Sequence, residues 1–170
     1  MKNRAGTVAL GGLLGALALA FSMLEGMLPP LPGMPPGAKL GLSNIVTMYA
    51  AGSLGLPWAL AIAAVKGGFA FLSRGVTAGA MSLSGGLLST AVMWLLFKWT
   101  KASLAVVGVC GALAHNAAQL AVAYALLEAP VLFYVPILGL LGVLTGLLTG
   151  AALKLTLPAL ERLDCYLRIK

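Results

Sequence analysis

The sequence predicts an all-α integral membrane protein: a bundle of six transmembrane helices in a single domain, residues 1–170. Two observations support this prediction. Hydrophobic residues make up 61% of the chain and charged residues only 9%, whereas an average soluble domain has about 25% charged residues. The apolar residues are also grouped in long stretches, and a helix needs about 20 apolar residues to cross the hydrocarbon core of a bilayer. We therefore expect a multi-pass protein of the cytoplasmic membrane.

Candidate spans follow one another along the chain. They cover Thr7 to Met27, Leu40 to Leu54, Pro57 to Leu72, Met81 to Phe97, Ser103 to Leu127 and Tyr134 to Leu157. The second and third are short and only Gly55 and Leu56 separate them, so they form either a tight helical hairpin or a partly re-entrant element. The first span resembles a secretory signal, but its apolar run is longer than that of an ordinary signal, and we expect a retained helix.

Lysine and arginine positions predict the orientation, because the cytoplasmic flanks of membrane helices carry the excess of positive charge. If the N-terminus is inside, most basic residues are cytoplasmic: Lys2, Arg4, Lys98, Lys101, Lys154, Arg162, Arg168 and Lys170. Lys39 and Arg74 are then outside, and Lys66 falls within a span. Four or six spans satisfy this bias with both termini in the cytoplasm, and the segment lengths favour six.

Several classes of function receive little support from the sequence. The net charge of +7 comes from basic residues at the ends of apolar segments, where they contact lipid headgroups, so we expect no nucleic-acid partner. Cys110 lies in an apolar segment and Cys165 in the charged tail, so we expect neither a disulfide nor a metal site. Phosphate-binding loops, nucleophile motifs and magnesium-binding acidic motifs are absent. We expect no enzymatic activity and no cofactor.

Small residues recur at four-residue spacing on the first span and form a flat stripe that another helix can approach closely. The pairs are Gly11 with Gly15, Gly12 with Ala16, and Ala16 with Ala20. The stripe serves either packing inside the bundle or docking of a second membrane protein.

Polar side chains at membrane depth are the candidate binding residues, because each is costly unless it is paired or faces a cavity. Lys39, Ser43, Asn44 and Thr47 begin the second span. A lysine beside a helix N-terminus favours an anion; the alternative is a snorkelling lysine, with hydroxyls bonded to their own backbone. The preceding loop, residues 29–37, contains five prolines and forms either a cap over the helices or a rigid connector.

Two further groups complete the candidate set. Lys66 lies about two turns deeper in its span than Arg74, and it either snorkels outward, pairs with Glu25 or faces a ligand. The deepest polar group comprises His115, Asn116 and Gln119. It either joins helices through hydrogen bonds or forms the wall of a substrate pocket.

Three motifs resemble those of a known family. They are Pro36-Gly37-Ala38-Lys39-Leu40-Gly41-Leu42-Ser43-Asn44-Ile45-Val46, the run Ser82-Leu83-Ser84-Gly85-Gly86-Leu87-Leu88-Ser89 followed by Met93-Trp94, and Gly111-Ala112-Leu113-Ala114-His115-Asn116-Ala117-Ala118-Gln119-Leu120. Over nearly the whole chain the sequence resembles the Gx transporter family, whose members are often labelled heptaprenyl diphosphate synthase component I. That family is similar to the substrate-binding S components of energy-coupling factor (ECF) transporters.

The resemblance implies a six-helix S-component fold with both termini in the cytoplasm. It also implies a substrate pocket open to the outside and covered by the loop between the first two helices. The small-residue face of the first helix would dock on a transmembrane coupling subunit driven by two ATPases. The residues that match the family's motifs are Lys39, Asn44, His115, Asn116 and Gln119, whereas Lys66 and Arg74 are inferred from position.

The sequence therefore predicts a substrate-binding membrane subunit that takes up a small solute from outside with an ATP-driven partner module. Candidate solutes resemble vitamins, flavins, or isoprenoid or quinone precursors. Lys39 and Arg74 would bind negative charge, while the histidine, asparagine and glutamine of the fifth span would supply hydrogen bonds. The alternative is a non-transporting membrane scaffold, or an accessory subunit of a redox or isoprenoid-synthesis complex.

Overall fold

A computed structural model describes residues 4–27, 41–127 and 131–169, with side chains omitted for 127, 131–132 and 163–169. Across these ranges the chain is helical and contains no strand, which confirms the all-α prediction. The helices are α1 (Arg4–Met27), α2 (Asn44–Ser53), α3 (Leu56–Arg74), α4 (Val76–Trp99), α5 (Leu104–Leu127) and α6 (Val135–Ile169), with a 3-10 turn at Val131–Tyr134 before α6.

Five of these helices, α1, α3, α4, α5 and α6, are long and apolar enough to cross a membrane. This confirms a multi-pass membrane protein. The second predicted span differs, because α2 has only ten residues, a length of about 15 Å against a hydrocarbon core of about 30 Å. It ends where Gly55 adopts a positive φ of 91°, and Pro57 in the first turn of α3 starts the next helix.

Helix α2 is short but central. Its residues Val46 to Ala51 are all buried, and Met48 is fully enclosed in the main hydrophobic core. That core also takes large side chains from five other helices: Leu10, Leu14, Ile62, Met93, Val107 and Leu153. The five long helices therefore pack around α2, so a polar group at its N-terminus is held inside the bundle.

Helices α3 and α4 form one antiparallel hairpin, and α5 and α6 form another. In the first, a Cβ on Gly67 would come within 2.8 Å of Leu83. In the second, a Cβ on Gly108 would overlap the carbonyl oxygen of Gly146, and one on Gly150 would come within 2.7 Å of Ala105. These glycines allow backbones to approach more closely than any side chain permits.

Helices α1 and α3 run in the same direction. Near their N-terminal ends, Gly11 packs against the ring of Trp58. Near their C-terminal ends, Glu25 and Arg74 line the same small cavity. The turn before α2 is at this same end, because the backbone N–H of Gly41 donates to the Glu25 carboxylate. We refer to this as the Glu25 end of the bundle.

Candidate functional site

Polar side chains from α1, α3, α4 and α5 meet at the Glu25 end of the bundle, together with the turn that begins α2. We call this group the polar cluster; its members are Ser22, Glu25, Gly41, Ser43, Asn44, Lys66, Arg74, Ser82, His115 and Gln119. All but Asn44 line one cavity with a volume of about 10 Å³. A cavity of about 10–15 Å³ holds a single water molecule, so any larger guest requires the side chains to move.

The amine of Lys66 is the most deeply buried charge in the cluster. The residue is only 2% exposed, and its Nζ donates a hydrogen bond of 3.0 Å to Oδ1 of Asn44. Lys66 therefore does not snorkel to the surface. Its stem passes Gly86 on α4, where the lysine Cε is 3.6 Å from the position a Cβ would take. The hydrogen bond ties the middle of α3 to the first residue of α2.

Glu25 presents its carboxylate to the turn that begins α2. The residue is 6% exposed, and its Oε1 accepts hydrogen bonds from the N–H of Gly41 and, at 3.3 Å, from that of Leu42. Gly41 has a φ of 84°, and a side chain there would press against the amide nitrogen of Asn44 at 2.9 Å. Consecutive N–H groups that converge on one oxygen, beside a helix N-terminus, form an anion-binding concavity.

Glu25 was not among the candidate binding residues predicted from the sequence, where it appeared only as a possible partner of Lys66. A signal was nevertheless present, because Glu25 is the single acidic residue in the first predicted span. Acidic residues within membrane segments face the bundle interior or a cavity.

Arg74 approaches the cluster from the last turn of α3 and is partly buried. Arg74 lines the same cavity as Glu25. Both groups keep unused hydrogen-bonding capacity, because Nη2 of Arg74 and Oε2 of Glu25 are buried and have no hydrogen-bond partner among the described residues. An unsatisfied donor and an unsatisfied acceptor therefore lie in the same small space.

His115 and Gln119 reach the cluster from one face of α5, and they are 3% and 1% exposed. The imidazole of His115 packs against Gly85 on α4, where a Cβ would come within 2.9 Å of the ring. Its Nδ1 is buried and has no hydrogen-bond partner within the described ranges. These two side chains line the same cavity as Lys66 and Arg74.

Asn116 lies apart from its neighbours in the sequence. Its Nδ2 donates a 2.8 Å hydrogen bond to the carbonyl oxygen of Leu138 on α6, and it borders an apolar cavity of about 450 Å³ between α5 and α6. Consecutive helical residues point about 100° apart, so His115 and Asn116 face different neighbours. Asn116 therefore makes an interhelical hydrogen bond and lies outside the polar cluster.

The remaining candidates divide into two sets. Lys39 and the proline-rich loop at 29–37 lie outside the described residues. Ser43 is buried beside the cavity, whereas the hydroxyl of Thr47 donates to the carbonyl oxygen of Asn44 at 3.1 Å. Thr47 therefore bonds to its own helix.

The small-residue stripe on α1 is split between two faces. Gly11 is buried against Trp58. Gly12, Ala16 and Ala20 are exposed, and Gly15 is half-buried. A Cβ on Gly12 or Gly15 would meet nothing within 4 Å, so most of the stripe is open on the outside of the bundle.

The chemistry of the cluster suits binding better than bond making. Its charged side chains are Lys66, Arg74 and Glu25, which leave one net positive charge when His115 is neutral. The N–H groups that open α2 add further positive potential. Within the described ranges, no three residues of the His, Cys, Asp or Glu types are grouped as metal ligands would be. The arrangement offers donors and positive potential to an anionic group.

Comparison with known proteins gives one match. The profile of the family described as heptaprenyl diphosphate synthase component I matches residues 14–156, which is most of the chain. Comparisons with curated proteins and with solved structures find no match. The matched range includes every described member of the polar cluster as well as most of α1. The chain therefore belongs to the family described as heptaprenyl diphosphate synthase component I.

Proposed function

We propose that this protein is the substrate-binding subunit of a membrane transporter, similar to an ECF S component. It binds a small solute that carries an anionic group and imports it with an ATP-driven partner module. The polar cluster is the observation on which this proposal rests. It places Lys66, Arg74 and Glu25 with His115 and Gln119 around one cavity inside an apolar bundle.

The energetic cost of the cluster argues for a binding role. Lys66 and Glu25 are almost completely buried, and removing an ion from water costs several kcal/mol even after the protein relaxes. Apolar side chains of the same size would give a bundle of equal or greater stability. Charges retained at membrane depth usually serve a substrate or ion pathway. We therefore assign the cluster to ligand binding rather than to helix packing.

The sign of the charge argues for an anionic solute. Two cationic side chains face one carboxylate, and the cluster lies at the N-terminus of α2. The N–H groups of Gly41 and Leu42 already bind a carboxylate oxygen. A second carboxylate or a phosphate group would find the same kind of donors here, in a cavity that Lys66 also lines.

The direction of the helices favours the six-crossing topology of an S component. Because α1 and α3 run the same way, the chain between Met27 and Leu56 has to return to the opposite end of the bundle. Helix α2 makes the central part of that return, and Tyr49 within it donates a 3.3 Å hydrogen bond to Leu160 near the end of α6. We propose six crossings, with both termini in the cytoplasm and the Glu25 end facing outward.

The outer face of α1 supplies the surface for a partner. Gly12, Ala16 and Ala20 are exposed, and they form a shallow groove that a helix of a coupling subunit can enter. We propose that this face docks on a transmembrane coupling subunit that works with ATPases. The chain contains no nucleotide-binding motif of its own.

The family's description favours one second candidate. It names a component of heptaprenyl diphosphate synthase, so an accessory membrane subunit of an isoprenoid-synthesis complex is the alternative. In that case the polar cluster would stabilise the bundle and would have no solute of its own. The two candidates differ in what binds to the protein: a small anion in the first, a soluble synthase subunit in the second.

Mass spectrometry of the protein purified in mild detergent distinguishes them. We expect a small anionic solute to co-purify with the wild-type protein and to be lost from Arg74→Gln and Lys66→Met. Asn116→Ala is the matched control, because Asn116 bonds to α6 and lies outside the cluster; this variant should retain the solute. Retention by both cluster variants would contradict the proposal, as would a prenyl synthase subunit co-purifying without any solute.

A further inference from the structure

The proposed function leaves open how the anionic group is accommodated in a cavity of about 10 Å³. Two other features of the bundle are large enough to hold a guest. The apolar cavity beside Asn116 opens between α5 and α6, and a groove at the opposite end of the bundle from Glu25 is bordered by Tyr49 and Glu161. Among the described residues, neither is lined by a buried polar side-chain atom that lacks a hydrogen-bond partner. The polar cluster has three, on Glu25, Arg74 and His115.

We propose that Glu25 is an internal substitute for the anionic group of the substrate, and that a substrate carboxylate or phosphate displaces it from the N–H groups of Gly41 and Leu42. This inference rests on the proposed function and specifies what the site recognises. A displaced Glu25 can pair with Arg74, while the substrate anion takes the N–H groups close to Lys66.

The geometry of the turn supports a site built for an anion. Both N–H groups converge on a single oxygen of Glu25, and the positive φ of Gly41 makes that convergence possible. The following N–H groups, from Asn44 onward, already bond to carbonyl oxygens three residues back. The N–H groups of Gly41 and Leu42 are thus not used within the helix and donate to Glu25 instead. An oxyanion is the natural acceptor for such groups.

Buried polar atoms without hydrogen-bond partners indicate where the displaced Glu25 side chain moves. Its Oε2 has no hydrogen-bond partner within the described ranges, and neither does Nη2 of Arg74, which lines the same cavity. A change of side-chain rotamer that brings these atoms together exchanges two backbone hydrogen bonds for an arginine–carboxylate pair. His115 and Gln119 line the same cavity and lie beside the incoming group.

The inference predicts that a substitution within the binding site tightens binding of the anion instead of weakening it. If Glu25 contacted the substrate favourably, Glu25→Gln would weaken binding. If Glu25 competes with the substrate's anion, Glu25→Gln removes both the competitor and a like charge, and binding tightens. We expect the dissociation constant for the anion to fall by at least about tenfold, which corresponds to about 1.4 kcal/mol.

The test measures equilibrium binding of inorganic phosphate and of benzoate to the purified full-length chain at fixed ionic strength. The two probes distinguish a phosphate from a carboxylate. Wild type, Glu25→Gln and Glu25→Ala are compared; Glu161→Gln is the matched control, because it removes a carboxylate at the opposite end of the bundle. Thermal unfolding of each variant verifies that it is folded.

Tighter binding of either probe by both Glu25 variants, with Glu161→Gln unchanged, supports the inference. Weaker or unchanged binding by the Glu25 variants, while wild type still binds a probe that Arg74→Gln loses, overturns the inference and leaves the proposed function standing. If neither wild type nor any variant binds either anion, both the inference and the anionic substrate class are wrong.

Discussion

Replacing Asn44 with alanine should destabilise the protein more than replacing Lys66 with methionine, although the two side chains share one hydrogen bond. The bond from Nζ to Oδ1 is 3.0 Å long, and the lysine is 2% exposed. Asn44→Ala leaves the buried ammonium without this acceptor, which costs about 1.5–3 kcal/mol. In a chain of this size each kcal/mol shifts the unfolding midpoint by about 2–4 °C, so we expect a drop of about 3–12 °C.

Lys66→Met breaks the same hydrogen bond, but its net effect on stability is different. It leaves the amide oxygen of Asn44 without its partner, at a cost of about 1–3 kcal/mol. It also removes a buried ammonium whose desolvation penalty is several kcal/mol. We therefore expect an unfolding midpoint equal to or above that of the wild type, together with complete loss of the co-purifying solute. Such a gain in stability with a loss of binding is typical of a functional residue.

Thermal unfolding in detergent, followed by tryptophan fluorescence, is a suitable assay, because the chain has three tryptophans. The variant that combines Asn44→Ala with Lys66→Met completes a double-mutant cycle, and we expect it to be more stable than Asn44→Ala alone. A midpoint for Lys66→Met that falls below that of Asn44→Ala would refute the reasoning. The lysine would then be a structural element of the bundle.

Two further predictions concern glycines. Gly146→Ala should lower the free energy of unfolding by about 1–3 kcal/mol, because its Cβ would overlap the backbone of α5. Gly139→Ala is the control: no described neighbouring group lies within 4 Å of its Cβ, so it should change the free energy of unfolding by less than about 0.5 kcal/mol. Equal effects of the two substitutions in thermal unfolding would contradict the packing described. Gly12→Leu should leave the unfolding midpoint unchanged, since among the described residues no neighbouring group lies within 4 Å of a Cβ on Gly12. The same substitution should abolish co-purification of the coupling subunit, and a retained complex would exclude this face as the docking surface.

The sequence predicted which polar side chains lie inside the bundle better than it predicted where they point. Asn44, Lys66 and Arg74 were chosen because polar groups at membrane depth need a partner or a cavity, and the structure brings them together in the polar cluster. His115 and Asn116 were chosen by the same argument, but they separate. In a helix that is apolar on every side, hydropathy gives no indication of which neighbour a given residue faces.

The role of Glu25 required the tertiary structure. From the sequence it is a glutamate near the end of the first span, and its hydrogen bonds are to residues sixteen and seventeen positions later in the chain. The N–H groups of Gly41 and Leu42 become a site only when the turn before α2 folds back against α1. No local pattern encodes that contact, because backbone N–H groups are the same at every position except proline.

Composition by itself determined that this protein is helical and lies in a membrane, because a chain that is 61% hydrophobic has to satisfy its backbone hydrogen bonds locally and cover its apolar surface with lipid. The distribution of charge likewise limited the candidate site to a few polar residues. Only the tertiary structure decided that α2 is a ten-residue helix enclosed by the other helices, and that Glu25 occupies its N-terminus. Those features depend on close contacts between segments distant in the chain, which helix packing determines and local hydropathy does not.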